Sequence, residues 1–162
     1  MRREGILSDN TIRQFISFTI GDEEYGVDIM AIREIKGWTA STALPNAPTY
    51  MRGVINLRGA IVPILDLRAR FGRNATETTP RHVIMVVAVG SRVAGLLVDA
   101  VADILAVPAE DIQPVPQLEL VATGFLTGLV TVEGRMVALL DLDHVFAFED
   151  MDLSELNAEA AA

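Results

Sequence analysis

The chain repeats one sequence pattern, and this repeat limits the folds it can adopt more than any other feature. Residues 53–71 read GVINLRGAIVPILDLRARF, and residues 128–146 read GLVTVEGRMVALLDLDHVF. The positions that are identical in the two segments are Gly53/Gly128, Gly59/Gly134, Val62/Val137, Leu65/Leu140, Asp66/Asp141, Leu67/Leu142 and Phe71/Phe146. Two related copies predict a duplicated fold, with repeat 1 over residues 14–80 and repeat 2 over residues 82–148.

Each copy has the composition and the turn residues of a small β unit. Residues 15–35 align with residues 84–104, and both segments open on a β-rich run that ends at a glycine. Hydrophobic residues make up 51% of the chain and aromatic residues 6%, which suits a core of Val, Ile and Leu between packed strands. Four or five short strands per copy suit a small closed barrel, which is hard to stabilise alone. The sequence therefore predicts an all-β fold with short helices, in which two barrels share a hydrophobic core.

The repeated motif itself is typical of a β-hairpin followed by a short helix. Arg58 and Gly59 stand at the reversal, where glycine readily adopts positive φ. Pro63 has no N–H to donate, so we expect its strand to lie at a sheet edge there. Asp66 and Asp141 each precede a short amphipathic segment, and they are predicted to cap helices.

Residues 46–53 and the two ends of the chain have sequence patterns that predict local structure. Residues 46–53, NAPTYMRG, predict one helical turn with Asn46 as its cap and Gly53 as a left-handed stop. We expect residues 1–13 to be disordered, residues 14–150 to form the domain, and residues 151–162 to form a C-terminal helix or tail.

The sequence lacks the residue patterns of the common catalytic and cofactor sites. There is no cysteine, and His82 and His144 stand in no metal-ligand spacing. The glycines form no phosphate-binding loop. Asp66 and Asp141 could form an acid–base dyad between the copies, but neither Asp-Thr-Gly nor Asp-Ser-Gly occurs, which favours the capping roles. We therefore expect a protein that is not an enzyme and holds no metal and no cofactor.

Charge and hydropathy narrow the choice of partners and compartment. The formal net charge of −9 disfavours binding to nucleic acid. The start of the chain has no apolar core of signal-peptide length, and the longest uncharged apolar run, residues 82–91, is about half of the roughly 20 residues of a membrane helix. We expect a soluble cytoplasmic protein without membrane insertion.

At Arg58 the two copies carry opposite charges, because its counterpart is Glu133. The hairpin turn needs only the glycine that follows Arg58. The positive charge of Arg58 can therefore serve a function that is specific to repeat 1. Glu34 could pair with Arg58, but an exposed pair contributes only about 0–1 kcal/mol to stability. An arginine that engages a partner is the alternative to an exposed turn residue without a role.

Three separated blocks of the sequence resemble the CheW family of bacterial chemotaxis coupling proteins. They are FTIGDEEYGVDIMAIREI at residues 18–35, the 53–71 motif with its NLRG and PILDL runs, and LLVDAVADIL at residues 96–105. The resemblance implies two SH3-like five-stranded β-barrels around a common core, between which strands could cross over.

The resemblance also implies a function and its residues. Such proteins are non-catalytic adaptors that link the helical cytoplasmic tips of chemoreceptors to the regulatory domain of the histidine kinase CheA, within membrane-associated arrays that can include CheW–CheW ring contacts. By position, Arg58 is the receptor-coupling arginine, Gly53 is also implicated in coupling, and Ile32 and Glu34 belong to a segment implicated in receptor and kinase binding. Trp38 departs from the pattern, and we interpret it as core or as the wall of a groove. A CheW-like domain in another signalling array is the alternative function.

Overall fold

The structure, a computed structural model, describes residues 11–116 and 124–147. The strands of these residues are β1 (Ile12–Ile20), β2 (Glu23–Asp28), β3 (Ile32–Gly37), β4 (Met51–Leu57), β5 (Ala60–Asp66), β6 (Val83–Val89), β7 (Arg92–Val98), β8 (Ala100–Pro108), β9 (Leu126–Val132) and β10 (Arg135–Leu140). Two four-residue helices, α1 (Leu67–Arg70) and α2 (Leu142–Val145), follow β5 and β10. The predicted disorder of residues 1–13 is wrong for residues 12 and 13, which belong to β1. Residues 1–10 and the predicted tail at residues 151–162 lie outside the described residues.

The strands form two five-stranded sheets, and each sheet combines both repeats. Sheet A has the order β8-β1-β2-β10-β9, and sheet B has the order β3-β6-β7-β5-β4. In each sheet one antiparallel contact and one parallel contact join the repeats: β1–β8 and β2–β10 in sheet A, β3–β6 and β7–β5 in sheet B. Each sheet therefore takes two strands from one repeat and three from the other, so the repeats interlock.

Both sheets curl until their edge strands approach each other. In sheet B an isolated antiparallel bridge joins Thr42, which follows β3, to Val54 in β4. In sheet A the corresponding bridge joins Gln113, which follows β8, to Leu129 in β9. The predicted pair of five-stranded barrels is confirmed by these closures.

The hydrophobic core has three parts, which explains why several strands are apolar on both faces. One cluster fills barrel A and includes Phe15, Val137 and Leu139, and a second fills barrel B and includes Val62, Ile64 and Val86. The largest cluster lies between the barrels and draws on β1, β2, β5, β6, β7 and both α-helices. The predicted shared core is thus confirmed.

The two hairpin turns have equivalent backbones. Arg58 and Gly59 have φ of 51° and 87°, and Glu133 and Gly134 have φ of 50° and 79°. Positive φ at both central residues is the geometry of a type I′ turn, which matches the twist of the flanking strands. The predicted hairpin is confirmed, and the residue before the glycine carries backbone strain in both copies.

Two local predictions are wrong. Residues 46–53 form a turn that leads into β4 and no helical turn: Asn46 itself has a φ of 61°, and the N–H of Met51 donates to the carbonyl of Pro48 at 2.9 Å. The strand of Pro63 lies between β4 and β7 and is not an edge strand. Proline is tolerated there because the ladder with β7 begins one residue later, at Ile64.

The two capping aspartates are confirmed as caps, but their environments differ. Asp66 accepts from the N–H of Ala69 at 3.4 Å, and Asp141 accepts from the N–H of His144 at 3.3 Å. Asp66 is also fully buried, and it accepts from both the N–H and the hydroxyl of Thr76 at 2.7 Å. It therefore anchors the connection between the repeats as well as its own helix.

Replacing Asp66 by alanine should lower the free energy of unfolding by about 3 kcal/mol, because α1 loses its cap and two buried donors of Thr76 lose their acceptor. The matched variant Asp141→Ala removes a cap at a partly exposed helix end and should cost about 1 kcal/mol. Chemical denaturation of both variants measures the difference. Equal losses in the two variants would contradict the anchoring role of Asp66.

Candidate functional site

The first component of the site is β3, an edge strand of sheet B. Its residues alternate, so that Ile32, Glu34 and Lys36 are half-buried while Arg33 and Ile35 are exposed. A register shift between Ile32 and Glu34 interrupts the ladder with β6. From this irregular edge strand the Glu34 carboxylate contacts Arg58.

The second component is the type I′ turn between β4 and β5, which carries Arg58. The guanidinium Nη2 of Arg58 donates to Oε1 of Glu34 and forms an ion pair with it. The pair connects β3 to the β4–β5 hairpin, and so it spans the two edges of sheet B. The Arg58 side chain is 73% exposed and that of Glu34 is 28% exposed, which leaves the guanidinium open to a partner.

The ion pair favours the charged forms of both groups. The hydrogen bond from Arg58 and its positive charge hold the pKa of Glu34 below its ordinary value. The same contact raises the pKa of Arg58. Because the carboxylate pKa is lowered in the folded protein, the pair persists below the ordinary pKa of glutamate and is lost only as the pH falls through the lowered value.

The substitution Arg58→Asn should return the pKa of Glu34 toward its ordinary value, because it removes the largest cause of the shift. Asparagine tolerates positive φ, so the turn is retained. An NMR titration of the Glu34 carboxyl carbon in the two proteins measures the change. An unchanged titration midpoint would show that the ion pair is not formed in solution.

Beside the ion pair lies an open cleft of about 410 Å³, which we call the Arg58 cleft. Arg33, Arg58 and Arg92 line it with Glu34 as the one acidic residue. The remaining lining is mostly aliphatic and comes from the two hairpins and β6: Leu57, Ala60, Ile61, Val62, Val86, Ser91 and Val93. The arrangement is an apolar floor with a mainly cationic rim, which can hold an apolar side chain beside an anionic group.

The four residues that the resemblance implicates in coupling lie at two depths, two at the surface and two below it. Arg58 and Glu34 meet at the surface, whereas Ile32 is half-buried and packs against the core between the barrels. Gly53 is buried in β4 with a φ of 136°, and a Cβ there would lie 2.2 Å from the carbonyl oxygen of Thr42. Gly53 and Ile32 therefore lie deeper than the surface pair, in the strands β4 and β3 that lead to Arg58 and carry Glu34.

Arg33 and Arg92 complete the cationic rim, and they were not predicted as site residues. Comparison of the repeats contains the signal, because the counterpart of Arg33 is Ala102 and that of Arg92 is Glu23. The same departure from the repeat identified Arg58. The sequence does not show that Arg92 lies near Arg58. Arg92 belongs to β7 of the other repeat, and it lines this cleft because β7 pairs with β5 in sheet B.

Trp38 is half-buried and packs against the core of barrel B, in agreement with its interpretation as a core residue. Its ring packs against the barrel B cluster, and the guanidinium of Arg52 lies 5.6 Å from the ring centroid. Arg52 also donates to the carbonyl of Thr76 at 2.9 Å. These contacts hold the segment after β3 against β4 and thereby fix the strand that carries Glu34.

Residues 11–116 and 124–147 contain no group of three or more His, Asp or Glu side chains placed to hold a metal ion. Within these ranges, no helix has the length and apolar character needed to cross a membrane.

Comparison with known proteins gives consistent matches over most of the chain. The sequence profile of the CheW-like domain family matches residues 14–150. The chain is 53% identical over 141 residues to the chemotaxis protein CheW of Rhizobium meliloti, covering 86% of this chain and 91% of that protein. It is 49% identical over 150 residues to the probable chemotaxis protein CheW of Rhizobium etli, covering 92% of each. The crystal structure of the scaffolding protein TtCheW from Thermoanaerobacter tengcongensis superposes with a TM-score of 0.82 at 29% identity, covering 88% of this chain and 98% of that one.

Proposed function

This chain belongs to the CheW-like domain family, and we propose that it is a non-catalytic adaptor that couples the cytoplasmic tips of chemoreceptors to the histidine kinase CheA. Its place is then the cytoplasm, at membrane-bound chemoreceptor arrays. The family match supports a chemotaxis scaffold, and the particular pair of partners is the further step of the proposal.

The observation that carries the proposal is the exposed Arg58, oriented by Glu34 at the mouth of an apolar cleft. An exposed ion pair contributes only about 0–1 kcal/mol to stability, so stability does not explain a charged residue in a strained turn position. A planar guanidinium fixed by one carboxylate still offers donors to a second acceptor. We therefore assign Arg58 and Glu34 to receptor binding, with Gly53 and Ile32 supporting their strands.

We propose that the kinase binds apolar strand surfaces away from the Arg58 cleft. β8 is an edge strand of sheet A, and Ile104 on it is 52% exposed. An exposed edge with an aliphatic side chain suits the packing of one barrel against another, as with the regulatory domain of the kinase or with a second copy in a ring. The formal net charge of −9 disfavours nucleic acid as a partner.

Binding measurements with purified components test the two assignments. Isothermal titration calorimetry should detect one complex with a receptor tip fragment and another with the regulatory domain of the kinase. Size-exclusion chromatography of all three should yield a ternary complex, since the proposed surfaces do not overlap. Competition between receptor and kinase for the chain would contradict an adaptor with two separate surfaces.

A further inference from the structure

Within the described residues, the chain crosses from one barrel to the other at two places. β1 and β2 belong to sheet A, β3 to β7 belong to sheet B, and β8 to β10 belong to sheet A. The crossings are therefore residues 29–31, between β2 and β3, and Asp99, between β7 and β8. Two covalent connections define a line, and they leave one barrel a rotation about that line. Contacts between the barrels must restrict this rotation.

The apolar contacts hold the barrels together but fix their angle only weakly. The largest hydrophobic cluster lies between the barrels and takes side chains from both. Hydrophobic attraction is non-directional and follows the area removed from water, so a small rotation that keeps this area buried changes it little. Hydrogen bonds from charged donors are stronger than neutral ones and depend on direction. Polar contacts across the boundary are therefore the ones that define the angle.

Arg70 makes such directional contacts between the barrels. It belongs to α1, which follows β5 of sheet B, and it reaches the end of α2, which follows β10 of sheet A. Its Nε donates to the carbonyl of Val145 at 2.8 Å, and its Nη2 donates to the carbonyl of Ala147 at 2.7 Å. The last carbonyls of a helix have no partner within the helix, so an arginine is a favourable donor to them.

The guanidinium of Arg70 also lies between equivalent residues of the two repeats. Its Cζ is 4.6 Å from the ring centroid of Tyr50 and 4.7 Å from that of Phe125, which are aligned in the repeats. Exchanging equivalent strands converts the order of sheet A into that of sheet B, so a pseudo-twofold axis relates the repeats. Arg70 lies near this axis, whereas its counterpart in α2 is the buried Val145. One repeat alone therefore supplies a charged contact at the boundary.

Two neighbouring arginines connect the same side of barrel B to barrel A. Nη2 of Arg68 donates to Oδ2 of Asp99 at 2.9 Å, and the same oxygen accepts from the N–H of Gly21, in the β1–β2 turn, at 2.7 Å. Arg73 forms an ion pair with Glu23 at the start of β2. Both pairs are partly exposed and contribute little to stability. Their geometry restricts the same rotation that Arg70 restricts.

We propose, on the basis of the proposed coupling function, that Arg70 is a positioning residue that fixes the angle between the two barrels. The proposed receptor surface belongs to barrel B and the proposed kinase surface to barrel A, so this angle determines how one bound partner is presented to the other. Each partner alone needs only the surface of one barrel. Arg70 is therefore required for coupling and not for either binary complex.

The substitution Arg70→Met tests the proposal, because it removes the guanidinium and keeps an apolar side chain between the two rings. Residual dipolar couplings of the backbone amides, fitted separately for barrel A and barrel B, measure the orientation of one barrel relative to the other. One alignment tensor should fit both barrels of the unaltered chain and should fail to fit both in Arg70→Met. Receptor-dependent kinase activation should fall at least fivefold, while the affinities for a receptor tip fragment and for the kinase regulatory domain stay within twofold.

Two further variants complete the test. Arg135→Met is the matched control, because Arg135 pairs with Glu24 and Glu133, which both belong to barrel A. It should leave the shared alignment tensor and the activation within twofold of the unaltered chain. Arg70→Lys keeps the positive charge but lacks the planar fork of donors, so it should lower activation at least twofold. It replaces Arg70→Met in every measurement if the methionine variant does not fold.

The outcomes separate the role of Arg70 from the proposed coupling function. A single alignment tensor for both barrels of the Arg70 variant would overturn the proposal, and so would separate tensors with full activation. A loss of binary affinity as large as the loss of activation would indicate general damage and would also overturn it. If the unaltered chain supports no receptor-dependent activation, the coupling function itself is overturned, whereas the dipolar couplings still decide whether Arg70 fixes the angle.

Discussion

Replacing Gly53 by alanine is expected to lower the free energy of unfolding by about 4 kcal/mol, the largest loss that we predict for a single added methyl group. A φ of 136° lies where residues with a side chain are strained. The added Cβ would also lie 2.2 Å from the carbonyl oxygen of Thr42. Because that oxygen accepts from the N–H of Val54 at 2.8 Å, the bridge that closes barrel B must open or shift.

Two glycines offer matched controls for Gly53. Gly134 has a φ of 79° but open space around a Cβ, so Gly134→Ala isolates the cost of positive φ, about 1 kcal/mol. Gly37 has open space and no positive φ, so Gly37→Ala should be nearly neutral. Urea denaturation measures the free energy of unfolding of the three variants. A Gly53→Ala protein as stable as Gly134→Ala would contradict the close contact with Thr42.

Replacing Arg58 by glutamate is expected to reduce receptor-dependent kinase activation at least tenfold while the fold remains intact. The variant places two carboxylates next to each other, Glu34 and the new residue, and it removes the guanidinium from the cleft. Binding to the kinase regulatory domain should be unchanged, because that surface is assigned to other strands. Autophosphorylation with receptor-containing membranes measures activation, and circular dichroism checks the fold.

The matched variant for this prediction is Glu133→Arg, the same substitution in reverse at the equivalent turn of barrel A. It removes the contact of Arg135 with Glu133 at 3.3 Å, and Arg135 retains Glu24 at 2.8 Å. Activation should stay within twofold of the unaltered chain. An equal loss in both variants would indicate a general effect of charge and would refute a specific role for Arg58.

Much of the fold was predictable because the sequence repeats local motifs. The hairpin at Arg58 and the caps at Asp66 and Asp141 depend on residues close in the chain, and both copies carry them. The pairing of strands between repeats was not predictable in detail, since it depends on contacts far apart in sequence. Pro63 shows this limit. Its missing N–H suggested an edge strand, but β5 is an inner strand whose pairing with β7 begins only at Ile64, so no N–H is needed at Pro63.

The candidate site was predictable only in part, for the same reason. Arg58 and Glu34 were found from the repeat and the family resemblance, and the structure brings them into contact. Arg92 joins them from β7 of the other repeat, which no local pattern indicates. Gly53 was interpreted as a helix stop. A glycine in the sequence indicates that positive φ is possible, but it does not indicate that Thr42 approaches this position.

The most direct measurement of the coupling function is the autophosphorylation rate of the kinase CheA with receptor-containing membranes, in the presence and absence of this chain. We expect kinase and receptor together to show only the basal rate. Addition of the unaltered chain should raise that rate at least tenfold, and the increase should require all three components. The same rate with and without the chain, in the presence of receptor and kinase, would contradict its role as a coupling adaptor.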